Sequence, residues 1–117
     1  MALTKVMHKG KEIVIADFAN KRGPELIEYM TQFSKDLVAT GKKNLILMDQ
    51  TNVVMTREIS QIQKEHAVKL KDYQGKLALL GITGMQSIIA KAIMAIVSHD
   101  VKMFDTKEEA MDWLAGK

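Results

Sequence analysis

Asn44-Leu45-Ile46-Leu47-Met48-Asp49 is the segment around which the rest of this chain is organised. Its apolar residues are consecutive and do not alternate with polar ones. That pattern is typical of a strand covered on both faces, such as the central strand of a parallel sheet. A polar run, residues 49–52, follows at once. In open α/β sheets ligands bind beyond the carboxyl ends of such strands, so functional residues are expected just after Met48.

Strands and helices alternate on both sides of this segment. Further short strands are predicted at Thr4–Met7, Glu12–Phe18, Lys76–Leu80 and Val101–Phe104. Helices are predicted to begin at Pro24, after Thr56, at Met85 and after Thr106, and Gly41 is expected to stop the first helix. Strict alternation after the first strand favours right-handed crossovers. The sequence therefore predicts one α/β domain, residues 1–117, with a mainly parallel central sheet of four to five strands packed by four helices.

The helix predicted at Met85–Ser98 is the most apolar in the chain. Its apolar stripe comprises Met85, Ile89, Ala92, Ile93 and Ile96, with Ile88 and Val97 at the margins. Ser87, Lys91, Met94 and Ser98 lie on the opposite side. Because Lys91 is its one charged residue, the helix is expected to be largely covered. The cover is expected to be the sheet, a ligand or a second copy of the chain in a homodimer.

Composition excludes several classes of protein. With 47% hydrophobic and 26% charged residues the chain is not disordered. It has no cysteine, which excludes disulfides, thiol catalysis and cysteine-ligated metals and fits a cytoplasmic protein. The net charge of +3 is scattered, so nucleic acid is not an expected partner. No apolar run is long enough to span a membrane.

Asp49, together with Gln50, Thr51 and Asn52, forms the first group of candidate site residues, because these residues follow the central strand directly. They could bind a polar ligand or a protein partner at the strand end. Alternatively, Asp49 stabilises a turn through its carboxylate, as Asp and Asn commonly do. A single carboxylate without a partner does not make an acid/base pair.

Thr56 and Arg57 are candidates at the start of the second helix. A phosphate on Thr56 would be favoured by the free N–H groups there, with Arg57 adding charge pairing; the alternative role of Thr56 is an N-cap. The segment Gly81-Ile82-Thr83-Gly84 could hold an anion on its backbone, or form a tight turn in which Thr83 and Gln86 make a capping box.

No residue constellation indicates an enzyme, a metal site or a cofactor. The histidines, His8, His66 and His99, lack zinc-ligand spacing, and no Gly-x-Ser-x-Gly motif is present. Methionines are the remaining feature. They either fill the core or line a pocket for a small apolar, lipid-like ligand; the candidates are Met30, Met55, Met85, Met94 and Met103.

Three segments resemble the second half of a STAS domain, the fold of anti-sigma-factor antagonists, and in particular its SpoIIAA-like branch. They are the Leu-Ile-Leu-Met-Asp strand, Lys76–Gly84 and Val101–Leu114. The resemblance implies a STAS-like fold from about residue 11 to residue 114, and the branch also resembles the CRAL-TRIO lipid-carrier domains. It implies a non-catalytic regulatory or interaction module that binds a protein partner through the loops at the carboxyl ends of the strands. The alternative is a carrier or sensor of a small apolar ligand.

The sequence departs from the antagonist pattern at the helix after the central strand. Antagonists carry Asp-Ser-Ser-Gly there, and a kinase phosphorylates one of the serines. This chain reads Met55-Thr56-Arg57-Glu58 instead, with Thr56 as the nearest hydroxyl.

Overall fold

The computed structural model describes residues 3–97 and 100–116, and within residues 85–97 it describes the side chains of 87, 88, 90–92, 94 and 95. The strands in these ranges are β1 (Thr4–His8), β2 (Lys11–Asp17), β3 (Asn44–Asp49), β4 (Gln74–Leu80) and β5 (Asp100–Phe104). The helices are α1 (Gly23–Ala39), α2 (Arg57–Leu70), α3 (Met85–Val97) and α4 (Lys107–Leu114), with a short 3-10 helix at Lys71–Tyr73.

The strands form one sheet in the order β1-β2-β3-β4-β5, so β3 is central. β1 pairs with β2 antiparallel, and the other neighbouring pairs are parallel. Ile46 and Leu47 of β3 are 0% and 1% exposed. The prediction of a mainly parallel α/β sheet built around a covered central strand is therefore confirmed.

Alternate residues of the strands enter two separate cores. On one face, Val14, Ile46 and Leu77 pack with residues of α1, α2 and α3. On the other face, Ile13, Leu47 and Ala78 pack with α4. Burying an aliphatic side chain of this size stabilises the fold by roughly 1.5–3 kcal/mol, and strands with apolar residues on both faces gain this from both cores.

The predicted helix stop at Gly41 and the predicted helix start after Thr106 are confirmed. Gly41 has a φ of +66° and donates its N–H to the Val38 carbonyl, which ends α1. Before α4, Thr106 Oγ1 accepts from the Glu109 N–H at 3.2 Å. The Glu109 carboxylate accepts from the Thr106 hydroxyl at 2.9 Å, rather than from the backbone N–H of Thr106 as a full capping box requires.

The predicted orientation of α3 is correct at Lys91, which is exposed, and wrong at Ala92 and Met94. Ala92 was expected on the covered stripe and is exposed, whereas Met94, expected opposite, is half-buried. Ala90 is 7% exposed and Ile88 is 71% exposed. The helix is almost uniformly apolar, so its hydrophobic pattern does not fix its rotation. Met85, Ile89, Ile93, Ile96 and Ser98 lie outside the described side chains.

The β1–β2 hairpin contacts α4 through the side chain of Asp112. Asp112 Oδ1 accepts from His8 Nε2 at 2.7 Å and pairs with Lys9 Nζ at 2.9 Å. The hydrogen bond from His8, followed by that from Lys9, lowers the pKa of the Asp112 carboxyl. These contacts join the two ends of the described chain.

Candidate functional site

The loops at the carboxyl ends of β2, β3 and β4 are joined by backbone hydrogen bonds. Phe18 N donates to Asp49 O at 3.0 Å and Asn20 N to Thr51 O at 2.8 Å. On the other side, Gln50 N donates to Leu80 O at 2.9 Å. The sheet therefore continues into its loops, and the segment after β3 is held from both sides.

Asp49 uses its carboxylate to shape the loop after β3. Oδ1 accepts from Thr51 N at 3.0 Å and from Thr51 Oγ1 at 2.6 Å. This is the turn-stabilising role that the sequence offered as the alternative to ligand binding. The same oxygen is therefore occupied by two internal donors.

Asn52 extends the same loop in a left-handed conformation, with a φ of +58°. Its Nδ2 donates to Oδ1 of Asn20, which is also left-handed with a φ of +63°. Asparagine tolerates this conformation better than most residues. The side-chain bond, 3.0 Å long, ties the loops after β2 and β3 together, and both residues are exposed.

Thr56 is the N-cap of α2. Its Oγ1 accepts from Ile59 N at 3.1 Å, and its backbone is extended, as a capping residue requires. Thr56 and Arg57 are both exposed. The N-cap role accounts for the position of Thr56 without phosphorylation.

Gly81 lies directly against Thr51. It has a φ of +73°, and a Cβ built on it would lie 2.6 Å from both the backbone N and the Cα of Thr51. Glycine is therefore needed for two reasons, conformation and space. Thr83 and Gly84 are exposed, and the predicted capping partner of Thr83, Gln86, lies outside the described side chains.

The structure thus brings Asp49, Thr51 and Gly81 into contact and leaves Asn52, Thr56, Arg57, Thr83 and Gly84 at the surface. Asp49 is the last residue of β3, and the others belong to loops or helix starts at the carboxyl ends of β3 and β4. They form a polar rim rather than a pocket.

A cavity lies beneath this rim, between the sheet and helices α1, α2 and α3. The cavity has a volume of about 70 Å³, several times the minimum that holds one water. Its lining is mostly apolar and includes Phe18, Met30, Phe33, Met48, Met55, Ala67, Leu70, Leu77, Leu79, Ile82, Ala90, Met94 and Val101. The rim loops contribute Met55 and Ile82, so the cavity and the rim share the same segments.

Four polar side chains also line the cavity: Gln50, Gln63, His66 and Gln74. Gln50 is 5% exposed and its Oε1 accepts from Gln63 Nε2 at 3.1 Å. Gln50 Nε2 donates to the Met48 thioether sulfur at 3.4 Å. The side chain of Gln50 therefore lies at the cavity, whereas the side chains of Asp49 and Thr51 bond to each other outside it.

His66 is half-buried one turn after Gln63 on α2. Burial, and secondarily the positive charge of Lys69, lowers the pKa of its imidazole from about 6.5, while Glu65 opposes the shift. The ring is therefore mainly neutral near pH 7. Its partial burial is that of a packing residue in the cavity wall.

The methionine pocket predicted from the sequence is matched in part. Met30, Met55 and Met94 line the cavity, and Met103 packs against the adjoining core without lining it. Met85 lies outside the described side chains. Sequence reasoning missed Gln63, which lies off the apolar stripe of α2, and its three-residue spacing from His66 was the available signal.

No group of three or more metal-ligating side chains occurs within residues 3–97 and 100–116. His8 and His66 lie in separate contacts, on the β1–β2 hairpin and at the cavity. His99 lies outside the described residues.

The architecture is similar to a crystal structure of an uncharacterised protein of the DUF3478 family from Shewanella loihica PV-4, which has a SpoIIAA-like fold. The match has a TM-score of 0.67 and covers 97% of this chain and 92% of the other, at 13% sequence identity. This chain has a SpoIIAA-like fold. At this identity the likeness shows the fold alone, and a relation to CRAL-TRIO domains stays a prediction.

No family model matches the sequence, and none of the curated proteins matches it either. Among the described helices of this SpoIIAA-like chain, none combines the length and apolarity needed to cross a bilayer.

Proposed function

We propose that this protein is a non-catalytic binding module that takes a small apolar ligand into the cavity between its sheet and helices α1–α3. The cavity itself carries the proposal. It is an unfilled space with mainly apolar walls and a few convergent polar groups, which is the usual form of a small-molecule site. Met30, Met48, Met55 and Met94 line it, and their unbranched side chains can move to fit a ligand.

The way into the cavity is expected between α2 and α3. The lining residues with partial exposure include Gln63 and His66 of α2, Met94 of α3 and the loop residues Met55 and Ile82. A ligand passing there would contact the polar rim. The candidate site residues would then shape the entrance instead of holding the ligand.

Calorimetric titration with hexane, as a minimal apolar probe, tests the proposal. Ala67 lines the cavity, so Ala67→Phe should fill part of it and weaken hexane binding at least about tenfold. Ala92 is exposed and does not line the cavity, so Ala92→Phe is the matched control. Equal binding to both variants, or no binding to the wild type, would count against a ligand cavity.

Docking of a protein partner on the polar rim is the second candidate function. It is favoured by the rigidity of the rim, whose loops are cross-linked by the Asn52–Asn20 and Gln50–Leu80 hydrogen bonds. A pre-formed surface loses little entropy on binding. Capture of one defined protein from lysate by the wild type but not by Arg57→Glu would support docking, and equal capture by both would oppose it.

Cytoplasmic location and a homodimer also remain proposals. Ile88 on α3 is 71% exposed, the highest value among the large exposed apolar residues described. If it lies in a dimer interface, sedimentation should show a dimer for the wild type and a monomer for Ile88→Lys. A wild-type monomer at high concentration would refute this.

A further inference from the structure

The cavity carries no formal charge. None of its described lining residues is Asp, Glu, Lys or Arg, and its one titratable side chain is His66. Because burial lowers the pKa of His66, the ring is mainly uncharged near neutral pH. A charged ligand group placed here would lose its hydration without gaining a counter-ion, which is strongly unfavourable.

The cavity nevertheless contains a buried hydrogen-bond donor with a poor acceptor. Gln50 Oε1 is well used, since it accepts from Gln63. Gln50 Nε2 donates to the Met48 sulfur at 3.4 Å, and a thioether is a weak acceptor. Because Gln50 is 5% exposed, an oxygen that replaces the sulfur as acceptor has to come from a molecule inside the cavity. An oxygen atom that reached this buried donor would form a stronger hydrogen bond with it than the sulfur does.

We propose that the ligand is an uncharged molecule with an apolar body and one oxygen, such as a ketone carbonyl, that accepts a hydrogen bond from Gln50 Nε2. This inference rests on the proposed function and deepens it, because it specifies the ligand's polar group. The same argument disfavours placing the carboxylate of a free fatty acid inside the cavity. The cavity of about 70 Å³ is smaller than the ~150 Å³ apolar cavity that admits benzene, so the lining methionine side chains have to move to admit a six-carbon ligand.

The test compares probes of equal chain length that differ at one end: hexane, methyl butyl ketone and hexanoate. Binding to the wild type near neutral pH is measured by calorimetry. The ketone should bind about three- to tenfold more tightly than hexane, as one hydrogen bond allows, and hexanoate should bind most weakly. Hexanoate binding as tightly as the ketone, or hexane doing so, would overturn the inference.

Gln50→Leu assigns the effect to the amide. This variant should bind hexane at least as tightly as the wild type while losing the preference for the ketone. Gln50→Met, which keeps an unbranched side chain, is the second variant if Gln50→Leu fails to fold. Gln61→Leu is the control, because Gln61 is exposed on α2 and does not line the cavity.

The two proposals fail in different ways. If none of the three probes binds the wild type, the ligand cavity and this inference fall together. If hexane binds but the ketone shows no preference, or the preference survives in Gln50→Leu, only the hydrogen-bonding role of Gln50 is overturned.

Discussion

Asn44 joins two crossovers of the sheet through one side chain. It is 5% exposed at the start of β3. Its Nδ2 lies 3.0 Å from Thr40 Oγ1, 2.9 Å from the Lys42 carbonyl and 3.1 Å from the Tyr73 carbonyl. The first two acceptors follow α1, and the third precedes β4. The amide therefore positions the central strand relative to both connections.

Asn44→Asp should destabilise the protein strongly. The change keeps the shape but replaces the donating amide with a carboxylate that faces carbonyl oxygens, and we expect a loss of at least about 2 kcal/mol. Urea denaturation near neutral pH measures it. Asn52→Asp is the control, because Asn52 is exposed; its loss should stay below about 1 kcal/mol. Similar losses at both positions would refute a special role for Asn44.

Gly81 should tolerate alanine less well than Gly84. Both glycines have positive φ, +73° and +52°, so both substitutions introduce backbone strain. A Cβ on Gly81 also overlaps the Thr51 backbone, whereas none of the described atoms lies within 4 Å of a Cβ on Gly84. We expect Gly81→Ala to cost at least about 1 kcal/mol more than Gly84→Ala. Equal urea midpoints would show that the Thr51 loop moves away freely.

The contacts of Asp112 between the β1–β2 hairpin and helix α4 stabilise the fold to a degree that depends on pH. The His8 and Lys9 hydrogen bonds lower the pKa of Asp112. The stabilisation is therefore present above the ordinary Asp pKa of about 3.9 and is lost as the pH falls through the lower folded-state value. Asp112→Asn should flatten this acid limb in urea denaturation between about pH 5 and about pH 2. Asp105→Asn, an exposed change before α4, should leave the limb steep.

The elements themselves follow from local patterns. β3 is a consecutive apolar run, Gly41 ends α1, and Thr56 and Thr106 cap the helices that follow them. These signals are contained within a few residues, so the order of elements and the parallel sheet could be predicted. The rotation of α3 could not, because Ala90, Ala92 and Met94 are all apolar and tertiary packing alone selects the buried side.

The cavity depends on contacts between residues distant in sequence. In the sequence, Gln50 is one of several polar residues in the loop after β3. In the structure its backbone N–H donates to Leu80 O, and its side chain is buried. Gln63 then meets it from α2. Periodicity assigns a glutamine to the solvent side of a helix, so the hydrophobic pattern places neither residue at a cavity, and the spacing of Gln63 from His66 is the one local signal that favours it. The rim residues could be placed, because strand ends are visible in the sequence.

At the scale of the whole molecule, one of the two cores, between the sheet and helices α1–α3, contains a cavity. Cavities in apolar cores lower stability in proportion to their volume, by about 24 cal/mol per Å³ in the best-measured series. Leu47, Ala78 and Leu114, on the face covered by α4, do not line this cavity. A binding function would explain why the unfilled space lies on the other face, beneath the loops that shape its entrance.

The protonation of His66, in the cavity wall, makes the free energy of unfolding of the whole protein depend on pH. Its folded-state pKa lies below about 6.5, mainly because of burial and then because of Lys69. Between that lower value and about pH 6.5 the unfolded chain binds more protons than the folded chain, so the free energy of unfolding must fall as the pH falls. Urea denaturation from about pH 7.5 to about pH 5.5 measures this fall, and NMR titration of the His66 ring gives the pKa directly.

His66→Gln removes the contribution of His66 and leaves His8 and His99 in place, so the difference between the wild-type and variant profiles isolates it. Lys69→Gln should raise the pKa of His66 and reduce the loss, because a neighbouring positive charge is gone. If His66→Gln retained the full slope of the wild type, the imidazole would not be held neutral by the cavity wall.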